Sequence, residues 1–218
     1  MDRILEPEIM DDRDAARAYA RADFSDSNQA FVDDLVEHYK ERLIQVLDLG
    51  TGPADIPVRL ARSARAAHIT AVDGSAEMLA LARESIQKAR LTGRIALRLG
   101  RLPGLALPEG SFDTVLCKDM LHHLPDPQAL WHEIRRLGRS GAAVYVMDLI
   151  RPDSPLAARE IVERVAGREH PLLKEDFYNS LCAAFTLEEV RMQLETAGLR
   201  LTATRAGDRH MTVRGLLE

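Results

Sequence analysis

The chain has 218 residues, 46% hydrophobic and 29% charged, ordinary proportions for one globular domain with a core of its own. Its net charge of −5 gives no support for nucleic-acid or anionic-membrane binding, and neither partner is expected. No apolar run approaches the roughly 20 residues of a membrane helix, and Cys117 and Cys182 have no zinc-ligand spacing.

Residues 1–26 are polar and rich in Asp and Arg, without the apolar core of a signal peptide. Together with two cysteines that read as reduced thiols, this predicts a cytoplasmic protein. A helix is expected from Ser27 or Asn28, with Phe31, Leu35, Tyr39 and Leu43 as its apolar stripe. From Gln45 the rhythm alternates. "IQVLDLG" reads as a buried strand, 55–66 as a helix, and "HITAVD" (68–73) as the second strand. Ser75 caps a helix carrying Met78, Leu79, Ala82 and Ile86. "IALRLG" (95–100) and "FDTVLCKD" (112–119) are strands three and four. "DPQALWHEIRRLG" is a helix capped by Asp126 with Pro127 at its first position, and "AAVYVMDLI" (142–150) is strand five.

The rhythm then changes. Residues 154–167 read as a helix opened by Ser154 and Pro155. "TLEEVRMQLETAG" is a helix whose Thr186 and Glu189 form a capping box, with Gly198 just past its end. "LRLTATRAGDRHMTVRG" reads as two strands joined at Ala206–Gly207–Asp208. The whole predicts an α/β fold: a doubly wound, mostly parallel seven-stranded sheet, with helices on both faces and a C-terminal antiparallel hairpin.

The turn after strand one, in "VLDLGTGPAD", marks the candidate ligand site. In an open parallel sheet, ligands bind at the carboxyl ends of the strands near the reversal of strand order. The dinucleotide fingerprint G-x-G-x-x-G would end in a third glycine, but here the series is Gly50, Gly52, Asp55. Asp48 and Asp55 flank the turn, and two carboxylates repel a diphosphate while suiting a ligand with a cationic end. Asp73, closing strand two in "AVDGSAEML", can accept ribose hydroxyls.

With these residues in order, the chain resembles the class I (Rossmann-like) S-adenosylmethionine-dependent methyltransferases that act on small molecules. The resemblance runs in detail from Gln45 to Ile150. "VLDLGTGPADI" is similar to the glycine-rich first motif, "AVDGSAEML" to the ribose-binding motif, and "LPEGSFDTVLCKDMLHHLPDP" to the stretch from strand four into the next helix. It implies S-adenosylmethionine as cofactor, with Asp48, Gly50, Thr51 and Gly52 at its amino-acid end. Asp73 would hold the ribose, Gly74 and Met78 would lie beside the adenosine, Leu102 near the adenine, and Lys118 by the methionine part. Arg101 stands where the family often has an acidic residue at the adenine, leaving stacking by Arg101 or backbone contacts around Leu102 as alternatives. Ala54 stands where many members have a third glycine, and Pro53 stiffens the turn. The resemblance also implies an N-terminal helical lid over 1–44 and a methyltransferase domain over 45–218, with a helical insertion at about 154–185.

Methyl transfer needs alignment and a dry pocket, and a hydroxyl acceptor gains from a general base. The candidates for the chemistry are His123, Asp148 and Tyr178; both histidines of "MLHHLPDP" also read as structural or cofactor-edge residues. Tyr19, Asp23 and Phe24 fall in the lid, and Phe177 joins Tyr178 as a pocket wall; His210 and Arg209 are weaker candidates. No metal site is expected, because neighbouring His122 and His123 should point in different directions. A small-molecule methyltransferase is the first reading. A protein or RNA methyltransferase, a non-catalytic S-adenosylmethionine-binding protein and an NAD(P)-dependent oxidoreductase are the alternatives.

Overall fold

The computed structural model describes residues 1–6 and 13–218. The part of the expected lid at 7–12 lies outside the described residues. The strands are β1 (Gln45–Leu49), β2 (His68–Asp73), β3 (Ile95–Leu99), β4 (Phe112–Lys118), β5 (Gly138–Leu149), β6 (Thr202–Ala206) and β7 (His210–Leu216). They form one seven-stranded sheet in the order β3-β2-β1-β4-β5-β7-β6. All pairings from β3 to β5 are parallel; β7 runs antiparallel to both β5 and β6. The order reverses between β1 and β4, where Leu49 is in register with Cys117.

The helices are α1 (Arg13–Arg21), α2 (Ser25–Tyr39), α3 (Asp55–Ser63), α4 (Ala76–Ala89), α5 (Gln128–Leu137), α6 (Pro155–Ala166), α7 (Pro171–Ala183) and α8 (Leu187–Thr196). The two-residue period of the strands divides the core between the faces. Val46, Ile69, Ala71, Leu116 and Tyr145 pack with Phe31, Leu35, Leu60 and Ala82 of α2, α3 and α4. Their chain neighbours Leu47, Val72, Val115, Cys117, Val144 and Val146 pack on the other face with Leu130, Trp131 and Ile134 of α5 and Val190 and Leu194 of α8. No helix among the described residues is long and apolar enough to cross a membrane.

The local punctuation works as chemistry dictates. Ser75 Oγ accepts the Met78 N–H at 3.1 Å, Ser154 Oγ accepts the Ala157 N–H at 3.1 Å, and Thr186 and Glu189 close a capping box. Some expectations shift. The helix expected from Ser27 begins at Ser25 and ends at Tyr39, so Leu43 joins the core from beyond the helix. Residues 13–21, polar in sequence, form α1. Asp126 Oδ1 accepts the Gln128 N–H at 2.9 Å, but Pro127 stands at the threshold of α5 rather than inside it. Strand five begins four residues early, at Gly138, because Gly138 also pairs with Phe112 across a break in register. Residues 171–183, within the insertion expected at about 154–185, form a helix packed on α6.

Candidate functional site

The carboxyl ends of β1, β2 and β4 converge where the strand order reverses. After β1 the backbone turns sharply, with φ of 76° at Gly50 and 52° at Gly52, values that glycine adopts without strain. A Cβ on Gly50 would stand 2.6 Å from Met120 Cγ, so the loop after β4 lies directly against this turn. A Cβ on Gly52 would meet nothing within 4 Å. Ala54, in the place of a third glycine, takes the left-handed conformation at φ 65° and buries its methyl completely.

Asp73 ties the two loops together. Its Oδ2 accepts the Gly52 N–H at 2.7 Å and its Oδ1 the Ser75 N–H at 2.9 Å. Burial raises the pKa of this carboxyl against the pull of those donors. Asp48 is 2% exposed, and burial pushes its carboxyl up to about 7. Asp48 Oδ2 and Thr51 Oγ1 are buried polar atoms with no hydrogen-bond partner among the described residues. Asp55 behaves otherwise. Its Oδ2 accepts from Arg59 Nε at 2.7 Å and Asn28 Nδ2 at 2.8 Å, so its charge is neutralised within the helical layer. The case against a diphosphate therefore falls to Asp48 rather than to the pair.

Beyond β4, Lys118 Nζ is bonded to Asp119, whose φ is 53° and whose Oδ1 is a further buried oxygen without a hydrogen bond. Burial opposes ionisation of Asp119, but Lys118 and His210 outweigh it and the carboxyl titrates below its usual range. A short 3₁₀ turn, Leu121–His123, follows. Asp148, near the end of β5, is 1% exposed and spends both oxygens there: Oδ2 accepts the Leu121 N–H at 2.7 Å, while Oδ1 lies 2.7 Å from His122 Nδ1 and accepts the Leu149 N–H at 2.7 Å. Burial disfavours charge on His122, but Asp148, with Glu6 and Asp119, overrides it and raises the imidazole pKa.

The histidine geometry corrects an expectation. His122 and His123 do not point apart. Their ring centroids are 4.1 Å apart, and both meet Glu6: His122 Nε2 at 3.5 Å and His123 Nδ1 at 2.9 Å from Oε1. Adjacent positions of a 3₁₀ turn stand about 120° apart, so what the two rings share is the partner Glu6 rather than a face imposed by the turn. Residues 1–6 cross this end of the sheet, with Arg3 donating to the carbonyls of Ala183, His122 and Leu124.

Among the remaining expected residues, Gly74 is covered by Arg101, whose Cγ would lie 3.3 Å from a glycine Cβ. Met78 is buried at the start of α4, and Leu102 is half-buried against the core. Tyr19 of α1 stacks on Phe24 at 5.0 Å, and its phenol is pushed up by burial and by the charges of Asp119, Asp73 and Asp148, so it faces the strand ends. His210 Nε2 is 3.9 Å from Asp119 Oδ1. Tyr178 lies in the α6–α7 packing, its ring under Arg159 at 4.5 Å, and no hydrogen bond or ion pair among the described residues links it to His123 or Asp148. Glu6 and Asp119 were missed by the sequence reading. Asp119 had a signal, a polar residue ending a buried strand beside the first loop; Glu6 had none.

Residues 47–146 match the model of a methyltransferase domain family. A ubiquinone biosynthesis O-methyltransferase of Xanthomonas oryzae pv. oryzae is 32% identical over 161 residues, covering 69% of this chain and 63% of that protein. A demethylmenaquinone methyltransferase of Lactiplantibacillus plantarum is 33% identical over 112 residues, 51% of this chain and 47% of that protein. The crystal structure of an S-adenosylmethionine-dependent methyltransferase from Aquifex aeolicus shares the fold with a TM-score of 0.73 at 18% identity, covering 95% of this chain and 99% of that one. This chain carries a class I S-adenosylmethionine-dependent methyltransferase domain. It spans 63% and 47% of the length of the two named relatives.

S-Adenosylmethionine is the cofactor of that class, and this methyltransferase domain offers a matching set of groups. Asp48 Oδ2 and Thr51 Oγ1, buried and unpartnered, suit an ammonium and a polar chain. The positive-φ glycines let backbone approach a ligand closely, and the open space at Gly52 leaves room for one. The Asp73 carboxylate accepts backbone donors from Gly52, Ser75 and Gly74 and still has acceptor capacity for a ribose hydroxyl.

Proposed function

We propose that this chain transfers the methyl group of S-adenosylmethionine to a small-molecule acceptor. The observation that carries the reading is the pair of unpartnered buried oxygens, Asp48 Oδ2 and Thr51 Oγ1, beside the two positive-φ glycines where the strand order reverses. The relative named as a ubiquinone biosynthesis O-methyltransferase favours a small acceptor that is methylated at oxygen.

In this reading Asp48, Gly50, Thr51 and Gly52 take the amino-acid end of the cofactor, with Lys118 beside it. Asp73 takes the ribose, Gly74 and Met78 flank the adenosine, and Arg101 and Leu102 border the adenine. The bound cofactor supplies an electrophilic methyl on a sulfonium. The chain aligns the acceptor, excludes water and handles the acceptor's proton. His123 is the more exposed imidazole of the pair and is assigned to the acceptor. Asp148 is a positioning residue, since its oxygens hold His122 and the Leu121 N–H. Tyr178 is assigned to the wall of the acceptor pocket. Residues 1–44 act as the lid, 45–218 as the catalytic domain, and about 154–185 as the insertion that shapes acceptor choice. Two unpaired thiols support a cytoplasmic setting.

Calorimetric titration of the purified chain with S-adenosylhomocysteine and, separately, NADH tests the cofactor assignment. Micromolar binding of the first alone supports it and justifies a screen of hydroxylated aromatic acceptors. Binding of NADH alone overturns it.

A further inference from the structure

We propose that Glu6, His122 and His123 form a binding site for one divalent transition-metal ion, with zinc the best-suited occupant. Three observations carry this. First, a carboxylate oxygen and two imidazole nitrogens from distant parts of the chain all lie within 4.8 Å of one another. The Glu6 oxygen is 3.5 Å from His122 Nε2 and 2.9 Å from His123 Nδ1. Tetrahedral zinc with metal–ligand bonds of about 2.0–2.1 Å requires ligand atoms about 3.3 Å apart, a value these distances bracket. Second, His123 Nδ1 is buried and within reach of Glu6, yet it makes no hydrogen bond. Third, the outer partners are in place. Asp148 Oδ1 lies 2.7 Å from His122 Nδ1, so a proton held between them leaves Nε2 with its lone pair toward Glu6. Ser180 Oγ donates to Glu6 Oε1 at 3.0 Å. A carboxylate behind the far nitrogen of a ligating histidine is the usual support of a zinc imidazole.

The donor set, two imidazoles and one carboxylate, leaves a fourth position open. It also explains why residues 1–6 cross this end of the sheet: the ion would fasten Glu6 to the turn after β4. If the methyl-transfer reading holds as well, the site places a Lewis acid beside the acceptor and spends His123 as a ligand rather than as a proton acceptor.

The test needs neither cofactor nor acceptor, so its result stands apart from the fate of the methyl-transfer reading. The untagged, chelator-stripped chain is titrated with Zn²⁺ by calorimetry and with Co²⁺ by visible absorption. The expected result is one ion per chain, with the intense bands of four-coordinate Co²⁺. Glu6→Gln and His123→Ala should each weaken binding at least tenfold, both variants being checked as folded by circular dichroism without metal. His38→Ala, which removes the exposed Asp34, Glu37 and His38 group, should change nothing. Absence of one-to-one binding, binding lost in His38→Ala, or binding that survives in whichever of the Glu6 and His123 variants fold would overturn the proposal. In the last two cases the cluster is a hydrogen-bonded ion network only.

Discussion

Asp73 Oδ2 accepts the Gly52 N–H at 2.7 Å, so the loop after β2 holds the loop after β1 in place. One carboxylate thus sets the shape of the glycine turn and, in the reading proposed here, offers its remaining lone pairs to the ribose. Asp73→Ala removes both. The expected loss is about 1.5–3 kcal/mol of S-adenosylhomocysteine affinity, the worth of a hydrogen bond to a charged group. Calorimetry checks this, and unchanged affinity would falsify the ribose assignment.

Asp48 gives a pH dependence with a definite sign. Its carboxyl is pushed up to about 7 in the free chain, while a bound ammonium favours the carboxylate form. Cofactor affinity should therefore rise with pH up to about 7 and then level off, with a proton released on binding at pH 6 and little at pH 8. Titrations in buffers of different ionisation enthalpy read that proton. The same shift bears on folding. A carboxyl raised above its unfolded value stabilises the protonated native state at low pH, and that contribution is lost as pH climbs through 7. Asp48→Asn should then be more stable than the wild type at pH 8, by up to about 4 kcal/mol, and about equally stable at pH 4. Equal melting at pH 8 would show that the carboxylate is not strained there.

The two glycines of the turn are not equivalent. At Gly50 an added Cβ collides with Met120 Cγ at 2.6 Å and Cβ at 2.8 Å, and the second atom cannot swing away. At Gly52 it meets nothing, leaving only the left-handed backbone cost of about 1–2 kcal/mol. Gly50→Ala should be the more destabilising substitution by thermal melting. The reverse order would mean that Met120 does not cover the turn.

Asp148→Ala should cost about 3–5 kcal/mol, because it strands His122 and the Leu121 N–H in the core. In the wild type the raised pKa of His122 means that the pair's contribution is complete below the unfolded value near 6.5 and declines as pH rises through the folded one. The His122 imidazole, followed by NMR, should titrate lower in Asp148→Asn than in the wild type. An unchanged titration would assign the raised pKa to Glu6 instead.

Much of this was legible before any coordinates. Alternating apolar runs located the parallel strands, and Ser75, Ser154 and Thr186 marked helix starts because a hydroxyl before an apolar stripe has a backbone donor to satisfy. Gly50, Gly52 and Asp73 stood out because their order along β1 and β2 is itself geometric information. Other features were local but overlooked. Asp55 precedes Arg59 by one helical turn, and that spacing already foretold its neutralisation. What could not be read was contact between distant segments. Nothing near Glu6 announces His122 and His123, and the two rings come side by side where Glu6 meets both, in a turn whose Leu121 N–H is held by Asp148 of another strand.

The placement of β7 between β5 and β6 has a consequence for biosynthesis. Of the hairpin's two strands, β7 is made after β6 yet is the interior one, and β6 takes the outer edge. Until β7 leaves the ribosome, the β5 edge from Ala143 to Leu149 has no neighbour on that side, although every cofactor-contacting loop of the proposed site has already been synthesised. A nascent chain thus holds its cofactor end in near-final form while presenting a bare apolar strand to solvent. Chains released before His210 should be captured by chaperones or aggregate, rather than persist as active fragments.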